Sequence, residues 1–141
     1  MNGAKAFVDT NVFLYLHGGS DQAKRAQAKE LLSDFNLSHR MIISTQVVQE
    51  FYVNARRLGM ARPALAAAAA SLLSLPMVVV GAVEIRSAMA NEERYGISFW
   101  DALILAAAET GGAETIYTED LNDRRRYGPI TVRNPFRETA P

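Results

Sequence analysis

The chain has 141 residues, is 49% hydrophobic, and balances 15 Lys and Arg against 15 Asp and Glu. That length suits one domain with its own core, and a formal net charge of zero excludes the global positive field that would advertise nucleic acid, leaving only local patches to hold such a substrate. The absence of cysteine excludes disulfides, zinc–thiolate centres and cysteine nucleophiles together, which suits a reducing cytoplasm.

In chain order, Ala6-Phe7-Val8 reads as a first strand, followed by helices over 11–17 and 21–35. Met41-Ile42-Ile43 is a second strand, with helices expected over 45–58 and 62–74, the latter opened by Pro63 and preceded by Gly59. The alanine run Ala66 to Ala70 lies in that second helix and reads as a small-residue face for close packing. The apolar run around it, Ala64 to Leu73, is far shorter than the ~20 residues of a membrane span, so no membrane partner is expected. The N-terminus has no charged region followed by an apolar core and cleavage site, so no secretory signal is expected. A strand at Met77 to Val80, helices over 82–95 and 98–110 stopped by Gly96 and Gly111-Gly112, and strands at Thr115-Ile116-Tyr117 and Pro129 to Val132 complete the chain. Nearly continuous apolar strands alternating with helices predict an α/β fold: a three-layer α/β/α sandwich with a mostly parallel sheet of about five strands, one domain over residues 1–141.

Four acids stand out against that pattern. In an open parallel sheet, ligands collect outside the carboxyl ends of the strands where strand order reverses, and Asp9 and Asp120 each directly follow a strand. Asp9 could instead be a helix N-cap, although Thr10 or Asn11 would serve as well. Glu50 falls at the margin of the stripe formed by Val47, Val48, Phe51, Ala55 and Leu58, and by itself reads as a flank paired with Arg56 or Arg57. Asp101 lies three residues after Ser98, as in a capping box, yet shares its face with Ile104, Leu105 and Ala108, where a bare carboxylate is costly. It reaches the strand edge only if its helix starts from or crosses that edge. Asp120 alone is an ordinary acidic turn residue. Their conjunction favours one site, and hard divalent cations require such oxygen clusters, so the chain reads as a metal-dependent enzyme.

Other features read as structural. His17 and His39 have no nucleophile and acid arranged around them, and Gly18-Gly19-Ser20 follows a helix rather than a strand, so it is a turn and not a phosphate loop. Phe99 and Trp100 read as core anchors at a helix start. Arg124-Arg125-Arg126 beside Asp120 could hold phosphates, or be a solvated turn.

The combination of Phe7-Val8-Asp9-Thr10-Asn11-Val12, Gln49-Glu50-Phe51, Ser98-Phe99-Trp100-Asp101-Ala102-Leu103-Ile104, Tyr117-Thr118-Glu119-Asp120-Leu121-Asn122 and Val132-Arg133-Asn134-Pro135-Phe136 resembles the PIN-domain ribonucleases, in particular VapC-like toxins of prokaryotic toxin–antitoxin pairs. The resemblance covers essentially the whole chain. It implies a Mg²⁺- or Mn²⁺-dependent endoribonuclease with Asp9, Glu50, Asp101 and Asp120 at the family's acidic positions, Asn11 and Thr118 supporting them, and Asp123 a possible fifth acid. It implies as partners an RNA substrate, a cognate antitoxin whose tail occludes the site, and a second copy in a homodimer. By their chemistry, the carboxylates would hold one or two ions that activate water and neutralise phosphodiester charge. Asp9 and Asp101 are then direct ligands, Glu50 a ligand or water-orienting base, and Asp120 a ligand to a second or weaker site. Two rivals remain: a non-catalytic module with the same fold, and a haloacid-dehalogenase-like phosphatase, whose pattern wants an Asp where this chain has Asn11.

Overall fold

The computed structural model of the chain describes residues 4–137. Its elements run β1 (Lys5–Val8), α1 (Thr10–His17), α2 (Gln22–Leu32), α3 (Phe35–Ser38), β2 (Met41–Ser44), α4 (Thr45–Arg57), α5 (Arg62–Leu73), β3 (Met77–Val78), α6 (Ala82–Tyr95), α7 (Phe99–Thr110), β4 (Ala113–Tyr117), β5 (Arg126–Tyr127) and β6 (Ile130–Arg133). The strands form one sheet in the order β3-β2-β1-β4-β6-β5, parallel except for β5, which is antiparallel to β6. The chain builds outward from β1 through β2 to β3, then returns to lay β4 on the other flank of β1. The order therefore reverses between β1 and β4, and the carboxyl ends of those two strands frame the crevice.

The apolar strands explain the sheet's burial. Phe7, Val8, Ile43, Ile116 and Val132 are fully buried, as is Phe51 of α4, and each such side chain contributes roughly 1.5–3 kcal/mol by leaving water. α7 packs across β2, β3, β4 and β6, while α1, α2, α4 and α5 form a series in which α1 packs on α2 and α4, and α4 on α5. The alanine-rich helix buries Leu65, Ala68, Ala69 and Leu72, while Ala66, Ala67 and Ala70 of the alanine run are exposed, so only part of that run packs. At the end of α7 the chain approaches the sheet so closely that a Cβ on Gly111 would lie 2.8 Å from Ile42 Cδ1 and 3.0 Å from Val78 Cγ2. A larger residue there would force the Ile42 and Val78 side chains to shift. Because α7 feeds directly into β4, it runs antiparallel to the strands, and its first turn lies at their carboxyl edge.

The sheet has six strands rather than about five. The extra one, β5, is the last arginine of the run and Tyr127, paired through the tight hairpin at Gly128 (φ 59), and two residues are too few for an apolar-run reading to find. The strand expected over Met77 to Val80 stops at Val78, since the Val80 amide donates instead to Thr45 Oγ1 (3.1 Å) and Val79 is exposed. The helix expected over 21–35 ends at Leu32, and Asp34 restarts a separate turn by accepting from the Asn36 amide (2.9 Å). Leu58, placed on the buried stripe of α4, is its exposed C-cap.

Candidate functional site

The site is best built outward from Thr118, which is fully buried just beyond β4. Its hydroxyl donates to Asp9 Oδ2 (2.7 Å) and accepts from Asn11 Nδ2 (3.2 Å) and from the Asp120 amide (3.1 Å). One donor and two lone pairs are thereby all used, which fixes the ends of β1 and β4 to each other. Asn11 also donates to Asp120 Oδ2 (3.1 Å), so it bridges both strand ends. Asp9 caps α1 by accepting from the Thr10 amide with Oδ1 (2.7 Å) while Oδ2 takes Thr118. The capping role, for which the sequence offered Asp9, Thr10 or Asn11, belongs to Asp9, whose one carboxylate both caps α1 and takes Thr118.

On the opposite rim, Glu50 leaves the surface pairing expected with Arg56 or Arg57. Its Oε1 accepts from Thr10 Oγ1 (2.8 Å), and its Oε2 accepts from Gln46 Nε2 (3.3 Å), whose second hydrogen goes to the Trp100 carbonyl (3.1 Å). Gln46 thus ties α4 to the first turn of α7. Ser98 caps α7 by accepting from the Asp101 amide (3.1 Å), and the carboxyl of Asp101 is left half-buried at the same rim.

The electrostatics join the four. Burial pushes Asp9 from 3.8 up to about 7, opposed by its hydrogen bonds from Thr118 and Thr10 and reinforced by the charges of Asp120 and Glu50. Asp101 is raised mainly by burial and further by Asp120 and Glu50, against the Ser98 hydrogen bond. Asp120 is raised by burial, with Asn11 and Lys24 pulling it down and Glu119 pushing it up. Among the described residues, however, no three acidic or histidine side chains stand close enough to hold one ion as they are oriented.

The donor set suits a hard cation: carboxylate oxygens, plus the buried Asn11 Oδ1, which has no hydrogen-bond partner. Beside it, Lys24 Nζ pairs with Glu119 (2.8 Å) and Tyr15 OH (3.1 Å), under the edge-on pair of Tyr15 and Phe136. Sequence reading missed this brace, as it missed Thr10 and Gln46. The bonds are long-range, spanning 40 positions for Thr10 to Glu50 and 54 for Gln46 to Trp100, and no local spacing reveals them.

Other candidates are placed elsewhere. Asp123 is occupied by the Asn134 amide (2.8 Å) and Arg137 (3.3 Å), so it braces the C-terminal segment. The arginine run is split: Arg124 adopts φ 67 with its side chain exposed, Arg125 lies over Tyr127 at 4.6 Å, and Arg126 starts β5. Trp100 is 62% exposed and is no core anchor. His17 meets Phe51 edge-on at 5.5 Å.

Comparison with known proteins agrees with this architecture. VapC20 of Mycobacterium tuberculosis, a sarcin-ricin loop cleaving toxin, is 28% identical over 79% of this chain and 87% of its own, with a TM-score of 0.66. A toxin–antitoxin complex from Klebsiella pneumoniae shares the fold at 21% identity (TM-score 0.71, 93% of this chain and 98% of that one). So does VapBC2 of Rickettsia felis bound to a DNA fragment from its promoter, at 19% identity (TM-score 0.63, 92% and 97%). A search of curated proteins returned no match. The PIN-domain family profile matches residues 6–128, spanning all four acids and most of the sheet, which sets aside the haloacid-dehalogenase reading: the chain belongs to the PIN-domain family.

Proposed function

We propose that this protein is a metal-dependent endoribonuclease, the toxin of a toxin–antitoxin pair, with Asp9, Glu50, Asp101 and Asp120 as its acidic site. The observation that carries the reading is that Asp9 and Asp101, from opposite sides of the β1/β4 crevice, both feel the charges of Asp120 and Glu50, in a family whose neighbours include a sarcin-ricin loop cleaving toxin. One or two Mg²⁺ or Mn²⁺ ions, held by Asp9 and Asp101 with Glu50 and Asp120 beside them, would supply the charge neutralisation and water activation that phosphodiester hydrolysis needs.

The protein's own groups do the rest. Thr118 and Asn11 hold Asp9 and Asp120 in register across the two strands. Glu50, steadied on both oxygens by Thr10 and Gln46, is an oriented acceptor for the proton of an attacking water. Asp9 retains its own proton to near neutrality, so cation binding and proton release are linked. The neighbouring toxin–antitoxin complexes support a small protein antitoxin as partner, and a homodimer is part of the same proposal.

Separation of the carboxylates favours one alternative, a non-catalytic module that keeps the fold. A cleavage assay on single-stranded RNA decides between them. Activity that EDTA abolishes, Mg²⁺ or Mn²⁺ restores and Asp101→Asn lowers by roughly 100-fold or more supports the enzyme. Metal-independent cleavage, or full activity in Asp101→Asn, removes it.

A further inference from the structure

Trp100 is the chain's single tryptophan and stands in water, 62% exposed, one residue before Asp101. Tryptophan is highly buried on average, so a surface indole beside a candidate site calls for an explanation. Its backbone is held in place. The carbonyl accepts from Gln46 Nε2, the same nitrogen that donates to Glu50 Oε2, so the residue is tied through one buried amide to a candidate acid. Its ring also packs edge-on against Phe99, with centroids 5.2 Å apart at 79°. Indole and rim are therefore presented by one rigid unit, the first turn of α7.

RNA recognition here has an electrostatic deficit. The chain has no net positive charge, the rim itself is acidic, and the arginine run does not form one patch because Arg125 lies over Tyr127. Affinity for a polyanion must then draw on contacts other than phosphate neutralisation, and stacking of bases on aromatic rings is the sequence-tolerant one. A single exposed ring, next in sequence to Asp101 and on the residue whose carbonyl holds Gln46, has the size and setting for a base, unlike the several exposed apolar side chains Val79, Val83, Ile85 and Met89 along the β3–α6 segment. Building on the ribonuclease reading, we propose that Trp100 is a stacking platform for a nucleobase adjoining the phosphodiester presented to the acidic rim.

Because the chain has one tryptophan, its emission reports on this ring alone. The test titrates a single-stranded oligoribonucleotide, with Ca²⁺ in place of Mg²⁺ and the RNA verified intact by gel, against wild type, Trp100→Ala and Trp100→Phe. Anisotropy of labelled RNA gives affinity for all three, and indole emission is followed in wild type. Stacking predicts quenching that saturates with binding, affinity roughly 5- to 150-fold weaker in Trp100→Ala, partial recovery in Trp100→Phe, and unchanged melting temperatures. RNA binding that leaves both the emission and the Trp100→Ala affinity unmoved overturns the proposal. So does an altered sedimentation of Trp100→Ala at unchanged RNA affinity, which would assign the ring to contact between copies. If wild type neither binds nor cleaves RNA, the ribonuclease reading falls and this inference with it.

Discussion

Asp9 and Asp101 carry the same carboxylate on opposite halves of one crevice, and the two halves hold it differently. The strand-built half encloses Asp9 almost completely, with Thr118 using every hydrogen-bonding position to lock β1 to β4. The helix-built half leaves Asp101 and Glu50 partly in solvent, tied by Gln46 between two separate helices. Strand ends inside a sheet have no freedom to turn away, so the sheet half concentrates desolvation and raises Asp9 to about 7. The helix half is the more solvated side of the crevice. The same chemistry is thus divided into an enclosed, costly anchor and a partly solvated rim.

The comparison breaks first on pH. Asp9 has a folded-state value of about 7 against an ordinary 3.8, so between those values the folded chain keeps a proton that the unfolded chain has lost. Its contribution is fully present below about pH 4 and is lost as pH rises through 7, a swing on the order of 4 kcal/mol as an upper bound. Urea unfolding in EDTA should show wild type losing stability from pH 5 to 8, with Asp9→Asn flatter and the more stable of the two at pH 8. Equal pH slopes would mean that the strand half carries no such cost.

Thr118→Val sharpens the same half by deleting the hub while keeping its shape. It strips partners from Asp9 Oδ2, Asn11 Nδ2 and the Asp120 amide, and should lower stability by about 3 kcal/mol, with Thr118→Ser close to wild type. A valine variant within 1 kcal/mol of wild type, on the order of one ordinary hydrogen bond, would show the network to be dispensable.

Gln46→Leu probes the helix half, where smaller effects are expected. It removes two bonds but also the partnerless buried Oε1, so stability should change by less than about 1 kcal/mol. Glu50 keeps only Thr10, and the Mg²⁺ concentration for half-maximal cleavage should rise several-fold while the KM for RNA stays near wild type. A stability loss as large as that of Thr118→Val would erase the distinction between the halves.

The smallest effect belongs to Lys24→Ala beside Asp120. The Lys24–Glu119 pair is partly exposed, so thermal melts should fall by no more than the equivalent of ~1 kcal/mol.

The two halves were also unequally legible in the sequence. Asp9 and Asp120 follow apolar strands, and the rule for parallel sheets locates them at the carboxyl edge without any knowledge of packing. Asp101 depended on the direction of α7, which becomes clear only when that helix is seen to feed β4. Glu50 could not be told from a surface acid, because Gln46 one helical turn away is an ordinary helix neighbour, and its distant partner Thr10 looks like an ordinary cap residue until tertiary contacts join them. Trp100 was misread as core because apolarity carries no direction, and its exposure follows from which way the first turn of α7 faces. The split of the arginine run follows from a two-residue strand pairing with β6. Alternation rules cannot register an element that short.

The central claim is that four carboxylates from two strands and two helices form one cation site. Calorimetric titration of Mn²⁺ at pH 8 into wild type, Asp9→Asn, Glu50→Gln, Asp101→Asn and Asp120→Asn tests it most directly. The account predicts saturable binding to wild type that weakens by roughly 10-fold or more in each variant, as loss of one charged ligand of a shared ion requires. Absence of binding to wild type, or wild-type affinity in all four variants, would contradict it.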